Sequence, residues 1–248
     1  MVRLNSTRRV EDLVLHYAPG VVTVGGRIQS GVIGPGCPNE RYEDCRELAQ
    51  FCIDSKLPLV IDAGALDLVK GLRDYADAHS RSLSRAILTP HHGEAARLLT
   101  QLGSPRSRAD IDADPAASAK ELALLTGAVI LLKSSTTVCS YLHHDQGSRT
   151  QEIVSIPQET PWAGVAGSGD VLAGAVAGFA AGFQARAERH QGNPSISEAE
   201  CATLASLGAW VHAQAAFRAG VGSQGHAHPI QSIDIARALP EIIGELCS

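Results

Sequence analysis

Residues 163–182 read AGVAGSGDVLAGAVAGFAAG, and Asp170 is the only charged side chain among them. Glycines at 167 and 169 let the backbone turn with its N–H groups pointing one way, which makes an anion cradle of Gly167, Ser168 and Gly169. The start of the apolar helix that follows adds partial positive charge. Asp170 then has two readings. It is either an N-terminal carboxylate favoured by the helix dipole or a general base beside a bound phosphate. A cap needs no glycines on its N-terminal side, so the pattern favours the base.

Three other segments carry chemistry. LKSSTT ends a buried strand on Lys133 and adds Ser134, Ser135, Thr136 and Thr137. These groups suit nucleotide phosphates and ribose, although a lysine there can also simply snorkel to solvent. In LTPHHGE, Pro90 ends a strand and Glu94 falls in the first turn of a helix, with His91 or His92 stabilising the turn or reaching a ligand. IDAGALD sets Asp62 at a strand end, where capping the next turn competes with a role in the site. His212, inside WVHAQAA, reads as a satisfied core histidine. There is no HExxH spacing; His226 and His228 in a Gly-rich loop are a weak metal candidate, and metal ligands stay unassigned.

The elements that position these groups alternate along the chain. Strands are predicted at 20–24, 30–34, 57–62, 85–89, 127–133 and 138–142, and helices at 40–55, 92–103, 114–126, 170–187, 196–219 and 232–246. Segments 103–115 and 188–197 read as surface loops. Near-continuous apolar strands imply a mostly parallel sheet with helices on both faces, an α/β fold in one domain over residues 1–248. Several strands end in polar or Gly-rich turns, and such ends form the ligand crevice of open α/β sheets. A net charge of −5 without any Lys/Arg block argues against a nucleic-acid polymer but allows a phosphorylated small molecule. The six cysteines include no CxxC pair and read as reduced core thiols of a cytoplasmic protein. Residues 163–182 are long enough to span a bilayer, but they are Ala/Gly-rich, and a carboxylate near the bilayer centre costs about 2.5–3.5 kcal/mol. They read as a core helix, with no membrane partner.

Together the segments resemble the NAD(P)H-hydrate dehydratase family of the ribokinase-like superfamily, in order from about residue 20 to 220. Gly34-Pro35-Gly36 is similar to its GPG turn and Asp62 to Leu66 to its DAD/G-A-L strand end, with Asp67 where Asn is usual. Thr89 to Glu94 resembles its TPHxGE signature and Gly167 to Gly174 its GSGDVLAG. The resemblance implies that Gly36, His91 and Asp170 contact hydrated NADH or NADPH, and that Lys133 to Thr137 and Gly169 hold ADP or ATP, with Mg²⁺ as cofactor. It implies repair of the hydrated cofactor: Asp170 takes the proton of the ring hydroxyl as it attacks the terminal phosphate, and phosphate then leaves. It also implies a homo-oligomer, often a tetramer.

Three departures stand out. Lys133-Ser134 replaces Lys-Gly, and Gly164-Val165-Ala166 replaces Ala-Thr-Gly. The family's opening Gly-rich turn and Ala-rich helix have no counterpart, so the expectation is a ribokinase-like fold without its first βα unit, either a shortened variant or part of a longer natural chain. Two rival readings follow: a ribokinase-like kinase of a small alcohol, opposed by TPHHGE, and a catalytically silent nucleotide-binding relative.

Overall fold

Leu59–Ile61, Ala86–Leu88 and Val129–Leu132 bury every side chain, as strands covered on both faces must. The computed structural model describes residues 1–145, 148–190, 195–221 and 225–247. Six strands form one sheet in chain order: β1 (Gly31–Ile33), β2 (Leu59–Ile61), β3 (Ala86–Leu88), β4 (Val129–Leu132), β5 (Thr136–Asp145) and β6 (Ser148–Pro157). β1 to β4 run parallel, and β5 and β6 add antiparallel strands at one edge.

Strand alternation divides the core. Leu59, Ile61, Leu88, Ile130 and Leu132 face one helical layer, whereas Val60, Ile87, Val129 and Leu131 face the other. The first layer holds α2 (Tyr42–Asp54), α3 (Val69–Ala78), α4 (His92–Gln101) and α6 (Pro115–Thr126). All four lie within the connections between successive parallel neighbours, and right-handed crossovers bring such connections to one face. The second layer holds α7 (Ser168–His190) and α8 (Glu198–Gly220), with α9 (Ser232–Cys247) packed outside them.

Two sequence expectations need correction. GVVTV at 20–24 makes an isolated bridge, Val22 with Arg3, instead of a strand, and Val24 is exposed rather than packed in a core. The 103–115 loop contains a short helix, α5 (Arg108–Ala113), started by a capping box between Ser107 and Asp110 and anchored by buried Ile111. Helices α1 (Arg8–Tyr17) and α3 and strand β6 carry no expectation at all. α1 buries no residue, which leaves its amphipathic pattern without a core to face.

The small residues of α7 do not all pack inward. Leu172, Ala173, Val176, Ala177, Ala180, Gln184 and Ala187 are buried, while Gly174, Gly178 and Gly182 are exposed. No helix among the described residues is long and apolar enough to cross a membrane. Close packing of α7 depends instead on a glycine of its neighbour. A methyl group on Gly208 of α8 would lie 2.6 Å from Val176 Cγ2 and 3.2 Å from Val176 Cα. Gly208→Ala should therefore lower the urea midpoint, by the equivalent of about 1–3 kcal/mol with an unchanged m-value. An unaltered midpoint would mean that the two helices separate at no cost.

Candidate active site

Asp62 follows β2 and Lys133 follows β4, so both leave the carboxyl end of the sheet. Lys133 Nζ donates to Asp62 Oδ1 at 2.6 Å, with the two side chains 19% and 2% exposed. Asp62 makes no cap bond to the turn that follows it, so neither the capping nor the snorkelling reading holds. Ala63, next in the chain, sits in the left-handed region at φ +49°, an uncommon conformation for a residue with a Cβ and one that favours glycine.

The anion-loop segment rests on this pair. A Cβ on Gly169 would come within 3.1 Å of Lys133 Nζ and 3.9 Å of Asp62 Oδ2, so glycine lets the helix start settle against the ion pair. Gly167 has φ +83°, a turn that favours glycine. Ser168 is spent internally: its N–H donates to the Val165 carbonyl at 3.1 Å, and its side chain is buried against His212. The amides next in the first turn of α7 are those of Gly169 and Asp170, which have no carbonyl four residues back within the helix. Asp170 itself is exposed. Partial burial and the Asp62 carboxylate raise its pKa, and Lys133 opposes them.

His212 proves to be the satisfied core histidine that its surroundings suggest. Its Nε2–H donates to the Ser168 carbonyl at 3.0 Å, and burial pushes its pKa down to about 4. This imidazole therefore holds the anion loop in the neutral form.

Lys133 also joins a cleft of about 900 Å³, lined on one side by His91, His92, Arg108 and Asp112 and on the other by Lys133 to Thr136. The Lys133 N–H donates to the Pro90 carbonyl at 2.8 Å, tying the two walls together. His91 caps α4: its Nδ1 accepts from Gly93 and Glu94, while Glu94 accepts from the His91 N–H. The turn-stabilising reading therefore holds for this residue, whose ring is 60% exposed with Nε2 3.6 Å from Glu94 Oε1. His92 Nδ1 donates to the Asp112 carboxylate.

Ser134 replaces the usual glycine without strain. Its Oγ donates to the Thr136 carbonyl and accepts the Thr136 N–H, and it is not among the left-handed residues. Thr137 is buried and bonded to Ser134 and Gln158, so it supports the turn rather than lining the cleft.

Gly36 is exposed at the end of β1, outside the cleft walls. Gly34, which carried no expectation of its own, is the tighter position: φ is +111°, and a Cβ would fall 1.8 Å from the Asp62 carbonyl oxygen. Asp67, where the family usually has Asn, accepts from Arg97 at 2.8 Å. His228 Nδ1 is 2.9 Å from the Pro229 carbonyl, and no group of three or more His, Cys, Asp or Glu among the described residues could hold a metal. A separate cavity of about 340 Å³ opens at the amino ends of β2 and β3, between Lys56 and Arg85, and holds none of these residues.

Residues 7–229 match the family model described as NAD(P)H-hydrate dehydratase. The chain belongs to that family. Among NAD(P)H-hydrate dehydratase relatives, the bifunctional NAD(P)H-hydrate repair enzyme Nnr of Mycobacterium tuberculosis is 34% identical over 181 residues, 71% of this chain and 34% of the relative. Nnr of Corynebacterium glutamicum is 31% identical over 238 residues, 92% of this chain and 40% of its own. The chain thus spans well under half the length of these curated relatives. The ADP/ATP-dependent NAD(P)H-hydrate dehydratase of Bacillus subtilis, co-crystallised with ATP and Mg²⁺, superposes with a TM-score of 0.66 at 21% identity, covering 98% of this chain and 80% of that one. A ribokinase-like superfamily protein of Enterococcus faecalis gives 0.65 at 20%, covering 98% and 76%. The fold is ribokinase-like.

Two predictions test the site's construction. Lys133→Met leaves Asp62 buried and unpaired, and should cost about 3–5 kcal/mol of unfolding free energy. Adding Asp62→Leu should recover most of that loss, as a double-mutant cycle in denaturant would read. His212 favours the folded state in its neutral form, so the unfolded chain takes up the proton first. Its contribution is complete above pH 6.5 and is lost as pH falls towards 4, about 3 kcal/mol in all. In His212→Gln the stability profile should be flatter across that window, and an unchanged slope would remove His212 from the account.

Proposed function

We propose that the chain dehydrates hydrated NADH or NADPH at the expense of ADP or ATP. One observation carries this reading. An exposed carboxylate of raised proton affinity, Asp170, opens α7 beside the Lys133 ammonium, which itself lines the cleft. That arrangement suits a base at the junction of an acceptor hydroxyl and a nucleotide phosphate.

In this reading the nucleotide phosphates lie along Lys133 to Thr136, with Thr137 holding the turn from behind. The hydrated dinucleotide lies towards Gly36 and His91. Asp170 orients the ring hydroxyl and accepts its proton as the oxygen attacks the terminal phosphorus, and the phosphoanhydride bond breaks. The first-turn amides of α7 stabilise charge developing on the transferred group, and Gly167 and Ser168 shape the loop that presents them. The phosphorylated ring then expels phosphate, pushed by the ring nitrogen lone pair. Loss of the neighbouring proton restores the double bond.

Mg²⁺ fits as a companion of the nucleotide. It is characteristically held by one or two carboxylates together with substrate phosphates, and Asp170 is the exposed carboxylate here, Asp62 being buried against Lys133. Its contribution when bound is neutralisation of phosphate charge. We further place the protein in the cytoplasm as a homo-oligomer, a reading supported by its free cysteines and by exposed Phe183, Trp210 and Phe217.

The test is recovery of NADH absorbance on mixing the protein with hydrated NADH, Mg²⁺ and ADP or ATP. Asp170→Asn should bind nucleotide within a few-fold of the parent while turnover falls about 10²–10⁴-fold. Wild-type-like turnover in that variant would exclude Asp170 as the base. Phosphorylation of a simple alcohol without NADH recovery would make the protein a kinase, and nucleotide binding without phosphate release would make it a silent relative.

A further inference from the structure

Cys37 directly follows the Gly34–Gly36 turn, and its N–H donates to the Gly34 carbonyl at 3.0 Å. Cys45 lies buried on the inner side of α2. The two Sγ atoms are 3.1 Å apart. We propose that Cys37 and Cys45 are a thiol pair that closes reversibly into an intramolecular disulfide, fastening the turn at the end of β1 to α2.

A disulfide is about 2.0 Å long, so closure requires the sulfurs to move together by about 1 Å. The turn has room for that. Gly36 has φ +62°, and nothing lies within 4 Å of where its Cβ would be. The two thiols are also unequally placed. Cys37 is half-buried and open to a small reagent, while Cys45 is shielded. Burial, then the hydrogen bond and charge of Cys37, raise the proton affinity of the Cys45 thiol, which leaves the first attack to Cys37; the two contributions from Cys37 lapse once that sulfur is in a mixed disulfide.

The natural oxidant class is a low-molecular-weight disulfide. The Cys37 thiolate attacks one of its sulfurs, the S–S bond breaks, and one thiolate leaves. Cys45 then gives its proton to solvent and attacks Cys37 Sγ, expelling the second thiolate. Two protein thiols are oxidised and one disulfide is reduced to two thiols, so electrons balance. The bond would bear on the candidate site through Gly34, which lies against the Asp62 carbonyl. Bonds of this kind in a reducing compartment are transient and sensing rather than structural.

The experiment equilibrates the full chain in buffers of increasing oxidised-to-reduced glutathione ratio, then quenches with acid, alkylates and maps peptides by mass spectrometry. The expected result is a single bond joining Cys37 to Cys45, with the six free thiols falling by two and dithiothreitol restoring them. Cys45→Ala should instead accumulate glutathione on Cys37, and Cys37→Ser should leave Cys45 unmodified. Amide exchange of residues 34–37 should slow on oxidation. A persistent glutathione adduct on Cys37 of the parent chain, a bond to any other cysteine, an unchanged thiol count at every ratio, or unaltered exchange in the turn would each overturn the proposal.

Discussion

The buried contact between Lys133 and Asp62 organises the candidate site. It joins the ends of β2 and β4, two strands separated by β3, so it braces three strands at once. Removing these charges from water is expensive, and their attraction offsets that cost only when the partners meet at hydrogen-bond distance. The pair therefore tolerates little displacement, and what packs on it inherits its position. Gly169 seats α7 on the ammonium from one side, and Gly34 seats the β1 turn on the Asp62 backbone from the other.

Asp170 stands where opposing influences meet. The start of a helix favours an ionised carboxylate, as does the nearby ammonium. Partial burial and the Asp62 carboxylate act the other way and win, raising its proton affinity. A carboxylate so adjusted remains exposed and reactive but is a stronger base than an ordinary surface aspartate. The loop before it is stiffened separately, because His212 stays neutral and uses its single N–H on the Ser168 backbone.

Much of this was legible in local sequence. Continuous apolar strands declared the two-faced sheet, and the glycines around Asp170 declared the helix start. What escaped was long-range or depended on company. Asp62 and Lys133 are 71 positions apart, and no spacing rule links them. β6 pairs with β5 along its whole length, yet between residues 150 and 157 only Ile156 is fully buried, so this segment resembles a polar loop. GVVTV failed in the opposite sense, with strand-forming residues and no sheet to join. Ser134 shows a third kind of miss. A position where glycine is usual needed no left-handed backbone, because the serine hydroxyl closes the turn itself.

The strand order explains why the cleft lies where it does. Connections between β1, β2, β3 and β4 keep α2 to α6 on one face, and the chain reaches the other face only after β6. β4 is the last parallel strand, and the tight turn to β5 reverses direction directly after Lys133. Beside that reversal, α4 begins just past β3 on one face and α7 begins against Lys133 on the other. Two helix N-termini, from opposite layers, therefore meet the same strand ends with their positive poles. An anion entering there meets the first-turn dipoles of both layers beside the Lys133–Asp62 pair. The phosphate position proposed above is the point where the topology brings these poles together.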